Sequence, residues 1–395
     1  MRAADGQSTR WRAAFAATLL VAMTAASLMQ FTLGVLAPFL TADFGLSRAQ
    51  LGSLTTAFFV VGTIVSPFAG RLVDRIGGRA MLFALFGFAI AGFAGTAGST
   101  GYATLLVAVG VAGLGTALMN PVTNHLIAVH LPRGRQGVVT GVKQSGVQAG
   151  AFLAGALLPA TALVLGWRGA VLAVTTIGLA GIVATSVWVP RNDRDAAHGG
   201  VATNQRPAGP FVRWLAAYAF LMGVGVAAVG AFVVLYAVEA LGLGEGRAGL
   251  IAGLVGGVGV ISRILWGRAA ERMASSTAPL FVLAATSVLA QVLVWGAAAV
   301  GEWLLWVGAA AFGVTAASWN AVGMLAIVRE IDAASTGRAS GVVQSAFYAG
   351  LVVCPVLFGA SVDATGGYDL GWAGVTAAFA GAAVLAAAWH RRHGP

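Results

Sequence analysis

Twelve stretches of about 20 or more mainly apolar residues fill almost the whole chain, and short turns separate them. A helix needs about 20 such residues to cross a bilayer. Only 9% of the residues are charged and 58% are hydrophobic, whereas about a quarter of the residues in soluble domains are charged. The sequence therefore predicts an all-α membrane protein, and the composition excludes a soluble enzyme.

The predicted membrane spans form two groups of six. They cover residues 13–40, 50–70, 79–99, 102–129, 138–165, 168–190, 211–240, 247–269, 278–300, 303–329, 338–361 and 368–389. Only one connection is long, the polar stretch from Arg191 to Pro210. We therefore expect a six-helix bundle at 1–190, a cytoplasmic linker at 191–210 and a second six-helix bundle at 211–395.

The basic residues between the spans are unevenly distributed. With these spans, most Lys and Arg residues flank the membrane on the side of the two termini, and the other side has only Arg48, Arg168 and Arg247. Positive charge marks the cytoplasmic side, so both termini are predicted in the cytoplasm and the chain in the cytoplasmic membrane. Because this charge is scattered over membrane-flanking turns, it indicates the lipid bilayer as a partner and not a nucleic acid.

The chain also repeats itself at an offset of about 200 residues, the pattern of two halves related by an axis along the membrane normal. Gly141-Val142-Lys143-Gln144-Ser145 in span 5 aligns with Gly341-Val342-Val343-Gln344-Ser345 in span 11. At the same offset, Asn120 in span 4 aligns with Asn320 in span 10. Two pseudo-symmetric bundles are therefore predicted.

The loop after span 2 carries the sequence Gly-Arg-Leu-Val-Asp-Arg-Ile-Gly-Gly-Arg at 70–79, and 267–272 repeats it in degenerate form. Together with the twelve spans in two groups of six, this loop resembles the signature loop of the major facilitator superfamily. The resemblance covers the full length of the chain. The resemblance implies that superfamily's fold and secondary transport by alternating access. It also implies that Asp74 and Arg75 stabilise the outward-facing state.

A carboxylate in this loop has a mechanical interpretation of its own. Asp74 can accept hydrogen bonds from the exposed amides at the start of span 11, and Glu271 can do so at the start of span 5, near Gly137. Such contacts would hold the two halves together on the cytoplasmic side. The predicted cytoplasmic gate comprises Gly70, Asp74, Arg75, Arg79, Glu271 and Arg272.

Charged side chains within the spans are few. None of the 13 acidic residues lies deep in a span, whereas Lys143, the only lysine, lies about two turns inside span 5. A cation at a helix centre costs about 2.5–3.5 kcal/mol on insertion scales, so such a residue is a functional candidate. We interpret Lys143 as the partner of an anionic substrate; the alternative is that its side chain extends to the lipid headgroups.

Neutral polar and aromatic side chains surround this lysine in sequence or occupy symmetry-matched positions. The predicted substrate-binding set is Lys143, Asn120, Gln144, Asn320, Gln344, Tyr348, Trp319 and Arg263. Buried amides in lipid-embedded helices either join helices or line a wet cavity, and both alternatives stay open for the matched pairs. Lys143 and Gln144 point about 100° apart on a helix, so one of them can face a helix and not the cavity.

The energy source is not fixed by the sequence. His125 in span 4 can carry a proton at physiological pH and is the proton-coupling candidate. No phosphate-binding loop, metal-ligand cluster or catalytic constellation occurs, so no cofactor and no enzymatic activity are predicted. The first hypothesis is transport of a small organic anion, by proton symport or anion exchange. The alternatives are efflux of neutral or lipophilic compounds and a sensor with a transporter fold.

Overall fold

The computed structural model describes residues 2–46, 48–191 and 209–393, and these ranges contain helices and no strands. The helices are α1 (Arg2–Val35), α2 (Ala37–Phe44), α3 (Arg48–Ile76), α4 (Gly78–Ala97), α5 (Tyr102–His130), α6 (Gln136–Trp188), α7 (Pro210–Glu239), α8 (Glu245–Arg272), α9 (Ala278–Val300), α10 (Glu302–Val314), α11 (Trp319–Glu330), α12 (Ala333–Thr365) and α13 (Asp369–His393). The predicted all-α class is confirmed. Most of the predicted linker, residues 192–208, lies outside the described ranges.

Eleven helical segments of the described chain are long and apolar enough to cross a membrane. One of them is Thr161–Trp188, the second part of α6. The first part of α6 corresponds to the predicted span at 138–165. The two parts meet at Gly166, whose φ of 71° and ψ of 162° are not helical. Glycine tolerates a positive φ, so the chain can turn at Gly166 between the two helical parts of α6.

The predicted span at 303–329 is broken in the structure, which corrects the expectation of one continuous helix. α10 ends at Val314, residues 316–318 form a 3-10 turn, and α11 starts at Trp319. Helix breaks at membrane depth need substitute partners for the freed carbonyl groups. The side chain of Arg263 donates to the Ala317 carbonyl, and Trp266 Nε1 donates to the Val314 carbonyl at 2.8 Å. The sequence has no proline or glycine at 315–318 to indicate the break.

The first predicted span, 13–40, is also divided. α1 ends at Val35 and α2 starts at Ala37, with Leu36 in a turn between them. Pro38 lies in the first turn of α2, where its missing N–H has no helical partner to lose. The proline therefore starts a new helix and does not continue the old one.

Each group of six spans starts and ends on the same side of the molecule, which we call the terminus side. In the first half, Trp11 near the start of α1 donates through Nε1 to the carbonyl of Trp188 at the end of α6, at 3.0 Å. In the second half, Trp214 near the start of α7 stacks on Trp389 near the end of α13, with ring centroids 5.0 Å apart. Between the halves, α3 packs on α12 and α6 packs on α8. This arrangement positions the site at the junction of the two halves.

Candidate functional site

A cavity of about 690 Å³ lies between the two halves. Its wall includes Gln30 near the end of α1, Gly52 near the start of α3 and Val356 towards the end of α12. These helix ends are on the side opposite the termini, so the cavity extends from the centre of the molecule to that side. Below the cavity, polar contacts between the two halves close the terminus side.

Arg263 of α8 is the charged member of the described cavity wall, where no acidic side chain occurs. Its side chain is 6% exposed. Nε and Nη2 donate to the Ala317 carbonyl at 2.9 and 2.7 Å, and Nη1 donates to the Gln144 carbonyl at 3.0 Å. A guanidinium has five N–H donors, so two remain without an acceptor from the described residues. The break between α10 and α11 thus fixes a cation that can still bind an anion.

Polar and aromatic groups of both halves complete the wall. Gln144, Asn320, Tyr348 and Trp319 from the predicted substrate-binding set lie there, as does Gln148. Trp319 packs on Phe347, with ring centroids 5.1 Å apart, and its Nε1 has no hydrogen-bond partner among the described residues. The cavity therefore combines one cation, amide groups and aromatic walls.

Below the cavity, α5 and α12 meet in a series of polar contacts spaced four residues apart, which we call the ladder. Tyr348 OH donates to the Thr116 carbonyl at 3.3 Å. Asn120 Nδ2 donates to Gln344 Oε1 at 2.5 Å. Asn124 Nδ2 donates to Ser340 Oγ at 2.8 Å. The first contact is at the cavity wall and the others descend towards the terminus side. Asn120 and Gln344 therefore join the two halves in this state and do not line the cavity.

Lys143 lies behind the ladder and is not among the residues that line the cavity. Its side chain is 0% exposed, which excludes the alternative that it extends to the headgroups. The ammonium donates to Asn120 Oδ1 at 3.1 Å, Thr123 Oγ1 at 2.7 Å and Asn124 Oδ1 at 2.5 Å. Among the described residues, no carboxylate forms an ion pair with it. An ammonium therefore sits among three neutral oxygen atoms.

Gln144 connects the cavity to this buried group. Its side chain lines the cavity, and Nε2 donates to Asn120 Oδ1 at 2.8 Å, the same oxygen that Lys143 contacts. The two neighbours on α6 point in different directions, as their 100° separation on a helix requires. The predicted substrate-binding set lacks Thr123, Asn124 and Ser340, although each lies about one helical turn from a predicted member.

A carboxylate closes the terminus side between α3 and α12. Asp74 Oδ1 accepts a hydrogen bond from the Gly337 amide at 2.9 Å, and Oδ2 accepts one from the Arg338 amide at 2.8 Å. Both amides lie in the first turns of α12, where the helix dipole favours a negative charge. Gly70 packs against the backbone of Gly337 so closely that a Cβ would be 2.7 Å from the Arg338 Cα. We call this contact the Asp74 latch.

The pseudo-equivalent contact joins α8 to α6. Glu271 Oε1 accepts a hydrogen bond from the Gly137 amide at 3.1 Å. Gly267 packs against the backbone of Gly137, at the position that Gly70 has in the other half. We call this contact the Glu271 latch. It uses one amide of α6, whereas the Asp74 latch uses two amides of α12.

The three arginines predicted for the gate lie at helix ends on the terminus side. Arg79 donates to the carbonyls of Val189 and Ser186 at 2.7 and 3.1 Å, so it ties α4 to the end of α6 within the first half. Arg75 and Arg272 lie exposed in the last turns of α3 and α8. The negative end of the helix dipole stabilises a cation in the last turn of a helix. This effect acts within each half.

His125 is fully buried beside the Asp74 latch. Its Nδ1 is 3.3 Å from Asp74 Oδ1. Neither ring nitrogen has a hydrogen-bond partner among the described residues. Asp74 already accepts two amide hydrogens. A proton on His125 would therefore place a positive charge next to the carboxylate that holds the latch.

The sequence model of the Major Facilitator Superfamily matches residues 18–353 of this chain. This match covers most of the chain, including the loop at 70–79 and both latches. The chain belongs to the major facilitator superfamily. The predicted resemblance and the fold of two pseudo-symmetric six-helix bundles are thus confirmed, and the chain is a multi-pass membrane protein and a transporter by family.

Three curated relatives are named as transporters of small organic anions. A probable sulfoacetate transporter of Cupriavidus necator is 25% identical over 375 residues, which are 86% of this chain and 84% of that protein. The hexuronate transporter of Bacillus subtilis is 26% identical over 153 residues, 37% of this chain and 35% of the relative. The gallate transporter of Pseudomonas putida is 33% identical over 144 residues, 36% of this chain and 31% of the relative. The last two matches span about a third of those relatives.

Solved structures share the fold. The proton:xylose symporter XylE has a TM-score of 0.77 at 16% identity, covering 98% of this chain and 95% of XylE. The human organic anion transporter MFSD10 has a TM-score of 0.75 at 16% identity, covering 95% of this chain and 99% of that one. Their identity is low, so they establish the fold and nothing about the substrate.

Proposed function

We propose that the protein is a secondary transporter that moves a small organic anion, a carboxylate, across the cytoplasmic membrane by alternating access. One observation carries this proposal: the cavity wall presents the guanidinium of Arg263, and the described wall has no acidic side chain to neutralise it. Fixed donors in a low-dielectric site attract a negative ligand and disfavour cations. The names of the curated relatives, which include sulfoacetate, hexuronate and gallate transporters, support the same class of substrate.

The predicted topology assigns the terminus side to the cytoplasm. With that orientation, the latches close the cytoplasmic side and the cavity faces outward. Transport then requires the Asp74 latch, the Glu271 latch and the ladder to break while the opposite side closes. The three contacts cross between the halves, so a rocking motion of one half against the other separates them together.

The coupling is either proton symport or anion exchange. His125 supports the first possibility because its ring lies 3.3 Å from Asp74. A proton arriving at His125 would compete with the α12 amides for that carboxylate and thereby weaken the latch. In anion exchange, His125 serves packing and the return step is driven by a second anion.

Uptake into proteoliposomes tests the proposal. Purified wild-type protein would be assayed with labelled gallate, D-glucuronate and sulfoacetate and with chloramphenicol as a neutral, lipophilic comparison. We expect saturable uptake of at least one anion and none of chloramphenicol. Uptake of chloramphenicol alone would favour the efflux alternative. An imposed pH gradient that increases anion accumulation would select proton symport over exchange.

A further inference from the structure

Among the described residues, two cations are buried in the membrane-embedded core. They belong to different halves and have different access to the cavity. Arg263 is on α8 of the second half and lies at the cavity wall. Lys143 is on α6 of the first half and lies behind the ladder, with all three ammonium hydrogens directed to oxygen atoms of α5. Only one of the two cations can therefore meet an anion in the state that the structure describes.

The ladder is what separates Lys143 from the cavity. Both Asn120 and Asn124 turn their Oδ1 atoms to the ammonium and their NH₂ groups to α12. An ammonium has three donors and no acceptor, so it fixes this orientation of the two amides. When the halves part on the terminus side, α12 and its acceptors Gln344 and Ser340 leave. Lys143 and its oxygen partners stay together on the first half and become accessible.

The oxygen atoms around Lys143 occupy the positions that a bound carboxylate would take. A buried ammonium without a counter-ion is costly, and three neutral oxygens compensate its charge less well than a carboxylate does, because charge-assisted hydrogen bonds between two ions are stronger. Once the terminus side is open, an anion in the cleft can displace one of these amide oxygens. The anion then binds Lys143 in place of Arg263.

We propose that Lys143 is the anion-binding cation of the state open on the terminus side, so that the transported anion passes from Arg263 in one state to Lys143 in the other. This inference rests on the proposed function and adds the order in which the two cations act. In the described state, Asn120, Thr123 and Asn124 hold the place of the anion. Gln144, which lines the cavity and shares the Asn120 oxygen with Lys143, lies between the two cations.

Lys143 can be followed chemically because it is the only lysine of the chain. An N-hydroxysuccinimide ester acylates a free amine, and mass spectrometry of the peptide that contains Lys143 distinguishes this product from the acylated N-terminus. The purified protein would be compared with Gly341→Trp. A side chain at Gly341 would collide with the Ser66 backbone across the interface, so this variant holds the terminus side open. Gly374→Trp is the matched control, because Gly374 is exposed and a Cβ added there would meet no atom within 4 Å outside its own helix turn.

We expect acylation of Lys143 to be about tenfold or more faster in Gly341→Trp than in the wild type and in Gly374→Trp, since modification follows the population of the open form. Gallate, D-glucuronate or sulfoacetate, whichever the wild type takes up, should slow the acylation in Gly341→Trp about tenfold at saturation. If Gly341→Trp does not fold, the double variant Asp74→Asn, Glu271→Gln replaces it, because it weakens both latches.

Equal acylation rates in the wild type and the opened variant would overturn the inference, because Lys143 would then not be sealed. Rapid acylation that the transported anion does not slow would also overturn it and would leave the proposed function intact. Uptake of no anion by the wild type would overturn the proposed function itself. The uptake assay thus tests the proposed function, and the acylation assay tests the role of Lys143.

Discussion

The two pseudo-equivalent junctions between the halves differ in how much polar contact they contain. Where α12 meets α3 and α5, the Asp74 latch uses two amides, and Asn120 and Asn124 reach across to α12. Where α6 meets α8 and α11, the Glu271 latch uses one amide. There Asn320, the counterpart of Asn120, has an Oδ1 without a partner in the described chain. We call these the α12 junction and the α6 junction.

The charged residues follow the same asymmetry. Arg263 of the α6 junction aligns with Ser66 of the α12 junction, and both donate to equivalent carbonyls, those of Ala317 and Ala117. Lys143 aligns with the buried Val343. The hydrogen bonds to these equivalent carbonyls are thus retained, whereas Arg263 and Lys143 each have an uncharged counterpart in the other half. The difference indicates that the α12 junction mainly closes the gate and that the α6 junction also presents a cation to the cavity.

Asp74→Asn is expected to cause the largest shift, because it removes the charge shared by two amide donors of α12. Hydrogen bonds to charged groups contribute about 1.5–3 kcal/mol each, so the ratio of terminus-open to terminus-closed protein should rise about 30-fold. Distances between spin labels on Ala80→Cys and Ala274→Cys, two exposed sites, measure this ratio. The single native cysteine, Cys354, is buried and would be replaced by serine. An unchanged distance distribution would contradict the latch.

Asn120→Leu is expected to have a smaller effect, about tenfold on the same ratio. The change leaves Gln344 Oε1, one Lys143 donor and Gln144 Nε2 without their Asn120 partner, and each unpaired buried group costs about 1–3 kcal/mol. Part of this cost falls equally on both states, because Lys143 and Asn120 are in the same half. Asn320→Leu is the matched variant in the α6 junction and should shift the ratio about twofold or less. Equal shifts for the two variants would remove the proposed distinction between the junctions.

Glu271→Gln should give the smallest shift, about threefold, because a single amide contacts this carboxylate and glutamine keeps an acceptor for it. The same pair of spin labels reports the change. A shift as large as that of Asp74→Asn would mean that the two latches contribute equally. The number of amide contacts would then not explain their strength.

Much of this architecture follows from the sequence because it depends on apolar length and on the internal repeat. The helices, the duplication and the two carboxylates at helix starts are local or periodic features. The break at residues 315–318 is different: no proline or glycine indicates it, and it is stabilised by side chains of α8 that are about 50 residues away in sequence. The Ala317 carbonyl in that break accepts hydrogen bonds from Arg263 and so positions its guanidinium at the cavity wall.

The surroundings of Lys143 could not be predicted from its own helix. The sequence indicates a cation in a span and a polar neighbour, Gln144, on another face. Which of the two lies at the cavity depends on how α5 packs on α6, since the three oxygen partners of Lys143 all come from α5. The i, i+4 spacing of Asn120 and Asn124 is the only local signal of this environment.

Counterflow in proteoliposomes tests most directly whether the cavity binds an anion through Arg263. Vesicles loaded with the unlabelled anion that the wild type takes up are diluted into a trace of the labelled anion. The wild type should accumulate label transiently, and Arg263→Gln should reduce the initial rate about 100-fold, since losing one member of a buried charge contact costs about 2–5 kcal/mol. Arg263→Lys, which keeps the charge, should retain more of the rate. Counterflow by Arg263→Gln at the wild-type rate would contradict the account.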